Sequence, residues 1–132
     1  HDSEDYAGTT QWLWGIGAAV YLSLMGPRGI EELGAGIMQR TRYAAERIDS
    51  LDGIGVAHLD CAFFKEFIID FAASGKTVAE VNAALLANGI FGGKDLSGEF
   101  PEFGQSALYC VTEIHGKKEI DRLVDSLAEV LS

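Results

Sequence analysis

Residues Asn88–Leu123, NGIFGGKDLSGEFPEFGQSALYCVTEIHGKKEIDRL, decide how this chain is read. Asn88-Gly89 is a natural helix C-terminal pair, because glycine enters the left-handed conformation without steric cost. Ala107–Thr112 is an apolar run with strand character. Gly116 opens a last helix whose apolar stripe is Ile120, Leu123, Val124, Leu127, Val130 and Leu131. Between them, Gly92-Gly93-Lys94-Asp95 has the look of a phosphate loop but fails its spacing. A Walker loop needs glycine where this chain has Asn88, and Ser or Thr where it has Asp95. The dinucleotide pattern GxGxxG is absent for the same kind of reason, since Gly89 is followed by Ile90 and Phe91. What remains for Gly92, Gly93, Lys94 and Asp95 is a segment lining a cleft, or a bulged strand edge.

Working back from this stretch, Thr77-Val-Ala-Glu80 matches a capping box and starts a helix with Val81, Leu85 and Leu86. Val56–Leu59 and Phe63–Phe71 are short β-branched and aromatic runs, the second alternating in polarity, which predicts a sheet with one covered face. His58 falls in the first of these runs with no second ligand at metal spacing. Ile30, Leu33, Ile37, Thr41, Ala44, Ile48 and Leu51 recur at spacings of three and four and predict a helix that begins at the Gly26-Pro27-Arg28-Gly29 turn.

Residues 7–27 carry no charge. Glycines, Thr9, Thr10, Gln11 and Ser23 interrupt them and no Lys or Arg flanks their start, so a buried helix is expected rather than a membrane span. That helix is apolar almost all the way round, through Trp12, Leu13, Trp14, Ile16, Val20 and Leu24. Such a helix needs cover on most sides, and Trp12 and Trp14 are therefore candidate interface residues.

The length of 132 residues fits a single domain, 1–132, with 1–10 a variable or trimmed junction. A net charge of −10 and a pI near 4.6 give no basic footprint for nucleic acid or an anionic membrane. Cys61 and Cys110 stand in apolar runs without metal or redox spacing, which predicts two reduced, buried thiols and a cytoplasmic protein. Lys117 and Lys118 in the first turn of the last helix, with Glu129 in its last, run against the helix dipole. Thr112 and Glu113, at the corner before that helix, are placed to satisfy its free amides or to face a cleft.

Four segments carry a family resemblance: AVYLSLMGPRG (19–29), FKEF (64–67), GIFGGKDL (89–96) with FPE (100–102), and CVTE (110–113) leading into EIDRL (119–123). In this order they resemble the C-terminal part of subunit 1 of glycine decarboxylase, the P-protein of the glycine cleavage system. The resemblance implies an α/β fold of α+β type, the small C-terminal domain of a fold-type-I pyridoxal-phosphate enzyme, with helices on an antiparallel-containing sheet. It implies a reaction in which glycine is decarboxylated with pyridoxal 5'-phosphate and its aminomethyl group passes to the lipoyl H-protein. The partners implied are the large domain of subunit 1 and glycine decarboxylase subunit 2. The cofactor lysine is expected outside this chain, since Lys65, Lys76, Lys94, Lys117 and Lys118 match no Schiff-base motif. No catalytic, cofactor-binding or metal residue is assigned, and the isolated chain is expected to be inactive. A stand-alone interaction or regulatory module that kept the small-domain fold is the competing expectation.

Overall fold

The computed structural model describes residues 9–132, which fall into two compact units divided between Ala35 and Gly36. Helix α1 (Thr9–Asp49) contributes to both. It is broken at Gly26, where φ is 61° and ψ is 178°. Pro27 is the cause: it lacks an N–H for the preceding turn and forces the residue before it out of the helical region. Only glycine takes the resulting conformation easily. The expected turn between two helices is thus present as a kink at Gly26, with helical segments on both sides.

In the 36–132 unit the remaining elements are strands β1 (Gly55–Val56) and β2 (Glu66–Asp70), helix α2 (Val78–Ala87), strands β3 (Lys94–Asp95) and β4 (Ser106–Cys110), and helix α3 (Lys117–Leu131). The strands form one antiparallel sheet in the order β1-β2-β4-β3, with the two-residue strands β1 and β3 outermost. Register places Phe67 opposite Tyr109 and Ile69 opposite Ala107. Those four side chains, with Phe71 and Val111, are buried in one core with Ala44, Ala45 and Ile48 of α1, Val78, Val81 and Leu85 of α2, and Ile120, Val124 and Leu127 of α3. Burial of each large member contributes about 1.5–3 kcal/mol before chain entropy is subtracted. The opposite face carries Glu66, Asp70 and Cys110, exposed, beside half-buried Ile68 and Leu108. This is the one-sided antiparallel sheet that the alternation in Phe63–Phe71 predicts.

Local signals fix the boundaries of α2. The Glu80 amide donates to Thr77 Oγ1 at 3.2 Å and the Thr77 amide donates to Glu80 Oε2 at 2.8 Å, a complete capping box. The bond from the Thr77 amide foremost, and then one from the Thr77 hydroxyl to Glu80 Oε2 at 2.7 Å, hold the Glu80 carboxyl below its ordinary value. Thr77→Ala is expected to cost about 1 kcal/mol, read as a lower urea midpoint at unchanged slope. At the other end Gly89 has φ 69°, its amide bonds Leu86 O at 2.9 Å, and the Ile90 amide bonds Leu85 O at 3.0 Å. This is a Schellman close, as Asn88-Gly89 predicts.

Other expectations are corrected. The stripe on α1 is buried from Ile37 onward, but Ile30 is exposed and Leu33 only half-buried, because both belong to the first unit. The run Val56–Leu59 does not continue as a strand. His58 adopts φ 54° and its carbonyl accepts the Cys61 amide at 2.9 Å, so the chain turns there and His58 is exposed. Both cysteines are free but exposed rather than buried. Cys61 lies in that turn, and Cys110 ends β4 opposite Glu66, on the face away from the helices.

Candidate functional site

A cavity of about 450 Å³ opens in the 36–132 unit between the Gly89–Gly92 turn, the end of β4 and the start of α3. Its shape depends on two glycines that pack too closely for any side chain. A Cβ on Gly92 would stand 1.9 Å from Asn82 Oδ1, and one on Gly93 would stand 2.4 Å from Tyr109 Cε2 and 2.9 Å from the Leu108 carbonyl oxygen. Asn82 locks the segment from α2 by donating through Nδ2 to Gly93 O at 2.8 Å. The glycine pair is therefore required by contact rather than by a left-handed backbone.

Two polar atoms are left buried without a hydrogen-bond partner beside this pair, Asn82 Oδ1 and the Tyr109 hydroxyl. Burial pushes the Tyr109 phenol up, and the Gly93 amide, near it but short of hydrogen-bonding geometry, pulls weakly the other way. Tyr109 stacks on Phe67 with ring centres 6.2 Å apart, so the ring is held from both sides.

Lys94 and Asp95 do not join the glycines at the cavity. Both are exposed: Lys94 Nζ donates to Glu99 at 2.9 Å, and the Asp95 carboxylate accepts from the Ser97 hydroxyl at 2.6 Å and the Ser97 amide at 2.8 Å. Those bonds hold the Asp95 carboxyl below its usual range and tie down the turn after β3.

Thr112 reaches the cavity indirectly. Its amide donates to His115 Nδ1 at 2.9 Å, which leaves the neutral ring its proton on Nε2. His115 lines the cavity with Cys110, Glu119 and Arg122. Glu113 is exposed and makes no such contact, and α3 starts at Gly116 without a side-chain cap. The amide-capping role expected of Thr112 and Glu113 is thus replaced by the Thr112–His115 bond. Arg122 also donates to Asn88 O at 2.5 Å, joining α3 to the end of α2. Sequence reasoning missed Asn82, Tyr109, His115 and Arg122. Only His115, directly before the glycine that starts α3, carried a local signal.

Trp12 and Trp14 belong to the first unit, where they are 70% and 76% exposed. Leu13, Ile16, Val20, Leu22 and Leu24 are exposed with them. No helix among the described residues is long and apolar enough to cross a membrane. None of the five lysines is a buried, unpaired amine: Lys65 and Lys118 are exposed, Lys94 pairs with Glu99, Lys117 with Asp121, and Lys76 donates to Val130 O at 2.5 Å. No group of three His, Cys, Asp or Glu side chains among the described residues is placed to hold a metal ion.

No protein-family profile matches the chain. Among curated proteins it is 41% identical over 124 residues to the probable glycine dehydrogenase (decarboxylating) subunit 1 of Staphylothermus marinus, covering 94% of this chain and 26% of that protein. To the same-named protein of Desulfitobacterium hafniense it is 38% identical over 118 residues, 89% of this chain and 26% of that one. The chain thus spans about a quarter of the length of the relatives it matches. Among solved structures, a glycine decarboxylase (P-protein) of the glycine cleavage system in inhibitor-bound form superposes with a TM-score of 0.82 over 96% of this chain and 28% of that one, at 24% identity. That likeness establishes the fold, an α/β unit with helices on an antiparallel sheet.

Proposed function

The chain is a homologue of glycine dehydrogenase (decarboxylating) subunit 1 over one quarter of that protein's length, and we propose that it serves as the small domain of such a subunit. In this reading it completes an enzyme that decarboxylates glycine and hands the aminomethyl group to a lipoyl-bearing H-protein. The observation that carries the proposal is the similarity to one named protein across nearly the whole chain, supported by a superposable fold. The uncovered helix around Trp12 and Trp14 fits a piece that functions against more polypeptide than these residues supply. The remaining three-quarters of a subunit 1 relative is the natural candidate for that cover, with subunit 2 as the further partner.

This chain's own part is structural. The Gly92–Gly93 pair, clamped by Asn82 and packed on Tyr109, sets a rigid wall. His115 and Arg122 are polar residues at the cavity beside it.

The test is a chimera in which residues 9–132 replace the matching segment of the Staphylothermus marinus subunit, co-produced with its subunit 2. Release of carbon dioxide from carboxyl-labelled glycine is expected from the chimera and not from the subunit lacking the segment. A chimera that folds and assembles yet releases none would overturn the proposal.

A further inference from the structure

The lysine that runs against the dipole of α3 and the arginines of α1 meet at one place. A second cavity, about 460 Å³, lies in the 36–132 unit between the C-terminal part of α1 and the start of α3. Its apolar floor is Ile120, only 3% exposed, and the Tyr43 ring. Arg40, Arg42 and Lys117 surround it, with Glu46 the one carboxylate among the lining residues. Cations outnumber anions here on a chain whose net charge is −10.

Most of these groups are already held in place. Tyr43 donates its hydroxyl to Asp121 Oδ1 at 2.5 Å, accepts from Arg47 at 3.0 Å, and has Lys117 Nζ 5.2 Å from its ring centre. Arg42 is fixed by Glu46 at 2.6 Å and the Leu59 carbonyl at 2.5 Å. Lys117 is paired with Asp121, which raises the lysine and lowers the aspartate from their ordinary values. Arg40 differs. It makes no ion pair or side-chain hydrogen bond among the described residues, so its donors remain free at the cavity.

An apolar floor, a few convergent polar groups and a volume within the usual 300–1,000 Å³ are the marks of a small-molecule pocket. The cationic rim and the positive end of α3 select for negative charge. We propose that this cavity binds a small organic anion, a carboxylate or phosphate on an apolar body, with its head at Arg40 and Lys117 and its body on Tyr43 and Ile120. The inference does not depend on the enzyme reading, since Ile120 is the one residue it shares with the cavity beside Gly92 and its charged groups, Arg40 and Lys117, line the second cavity alone.

The experiment is a methyl and aromatic NMR titration of the 132-residue chain with phenyl phosphate and with benzoate, using phenol and inorganic phosphate as controls. The Ile120 methyl and Tyr43 ring signals are expected to shift and saturate with one or both aryl anions, the tighter one identifying the head group. Phenol and inorganic phosphate should bind at least about tenfold more weakly, each lacking half of the recognised chemistry. Arg40→Gln should weaken the aryl anion roughly five- to tenfold, and Lys117→Gln by a similar factor. If Lys117→Gln disturbs the fold, Arg40→Gln decides alone, because Arg40 holds nothing else. Absence of a saturable shift at Ile120, equal binding of inorganic phosphate, or unchanged affinity in Arg40→Gln would each overturn the proposal.

Discussion

Gly93→Ala is expected to destabilise the 36–132 unit by about 3 kcal/mol, the upper end of the overpacking range. The added carbon would sit 2.4 Å from Tyr109 Cε2 and 2.9 Å from the Leu108 carbonyl oxygen. Neither neighbour can step aside. Tyr109 is 6% exposed and stacked on Phe67, while the Leu108 carbonyl belongs to β4, whose ladder with β2 runs from Ser106 to Cys110. Separation of β3 from β4 is the least costly escape, and it would also loosen the Asn82 bond to Gly93 O. Gly98→Ala is the control, since open space surrounds that position. Urea unfolding of both variants checks the contrast: a Gly93→Ala midpoint as high as that of Gly98→Ala would mean that the close approach carries no load.

Trp12→Glu combined with Trp14→Glu is expected to weaken association with a subunit 1 relative lacking its matching segment by at least about 100-fold. Buried tryptophans at an interface commonly contribute 2 kcal/mol or more each, and a carboxylate placed in an apolar contact adds a desolvation cost. Within the chain itself the two side chains are 70% and 76% exposed. The double variant should therefore unfold within about 0.5 kcal/mol of the parent, as surface changes usually do. Sedimentation equilibrium of the mixed polypeptides, with unfolding curves of each chain alone, separates the two effects. Unchanged association would remove the apolar helix from the docking surface.

How much of this was legible in the sequence follows from how far each cause lies from its effect along the chain. The capping box at Thr77 and the close at Asn88-Gly89 act over a few residues, and both stand where they are expected. The break at Gly26-Pro27 is equally local. The end of β1 was not legible, because a left-handed histidine at position 58 leaves no signature in residue type. The exposure of Cys110 was hidden by parity: Tyr109 and Val111 face the core, and a strand must turn the residue between them outward. The sequence marks Gly92-Gly93 as special but not why, since Asn82 and Tyr109 approach from ten or more positions away. The family fingerprint reaches further than these local rules. It points to the same protein to which the chain is 41% identical over 124 residues, although no local rule marks His115 and Arg122 as cavity residues.

The sheet ends on both sides in strands of only two residues, Gly55–Val56 and Lys94–Asp95. A longer bare edge would offer a ladder of open amides and carbonyls to any passing strand, the usual route to fibrous self-addition. Here such a template is too short to recruit one, and Lys94 and Asp95 add a charge of each sign at the outer rim. Growth by backbone pairing is thereby discouraged, so the surface this chain leaves open to contact is the exposed apolar side chains of the first part of α1. Recognition of that kind depends on matching shapes and can be selective in a way that edge pairing is not.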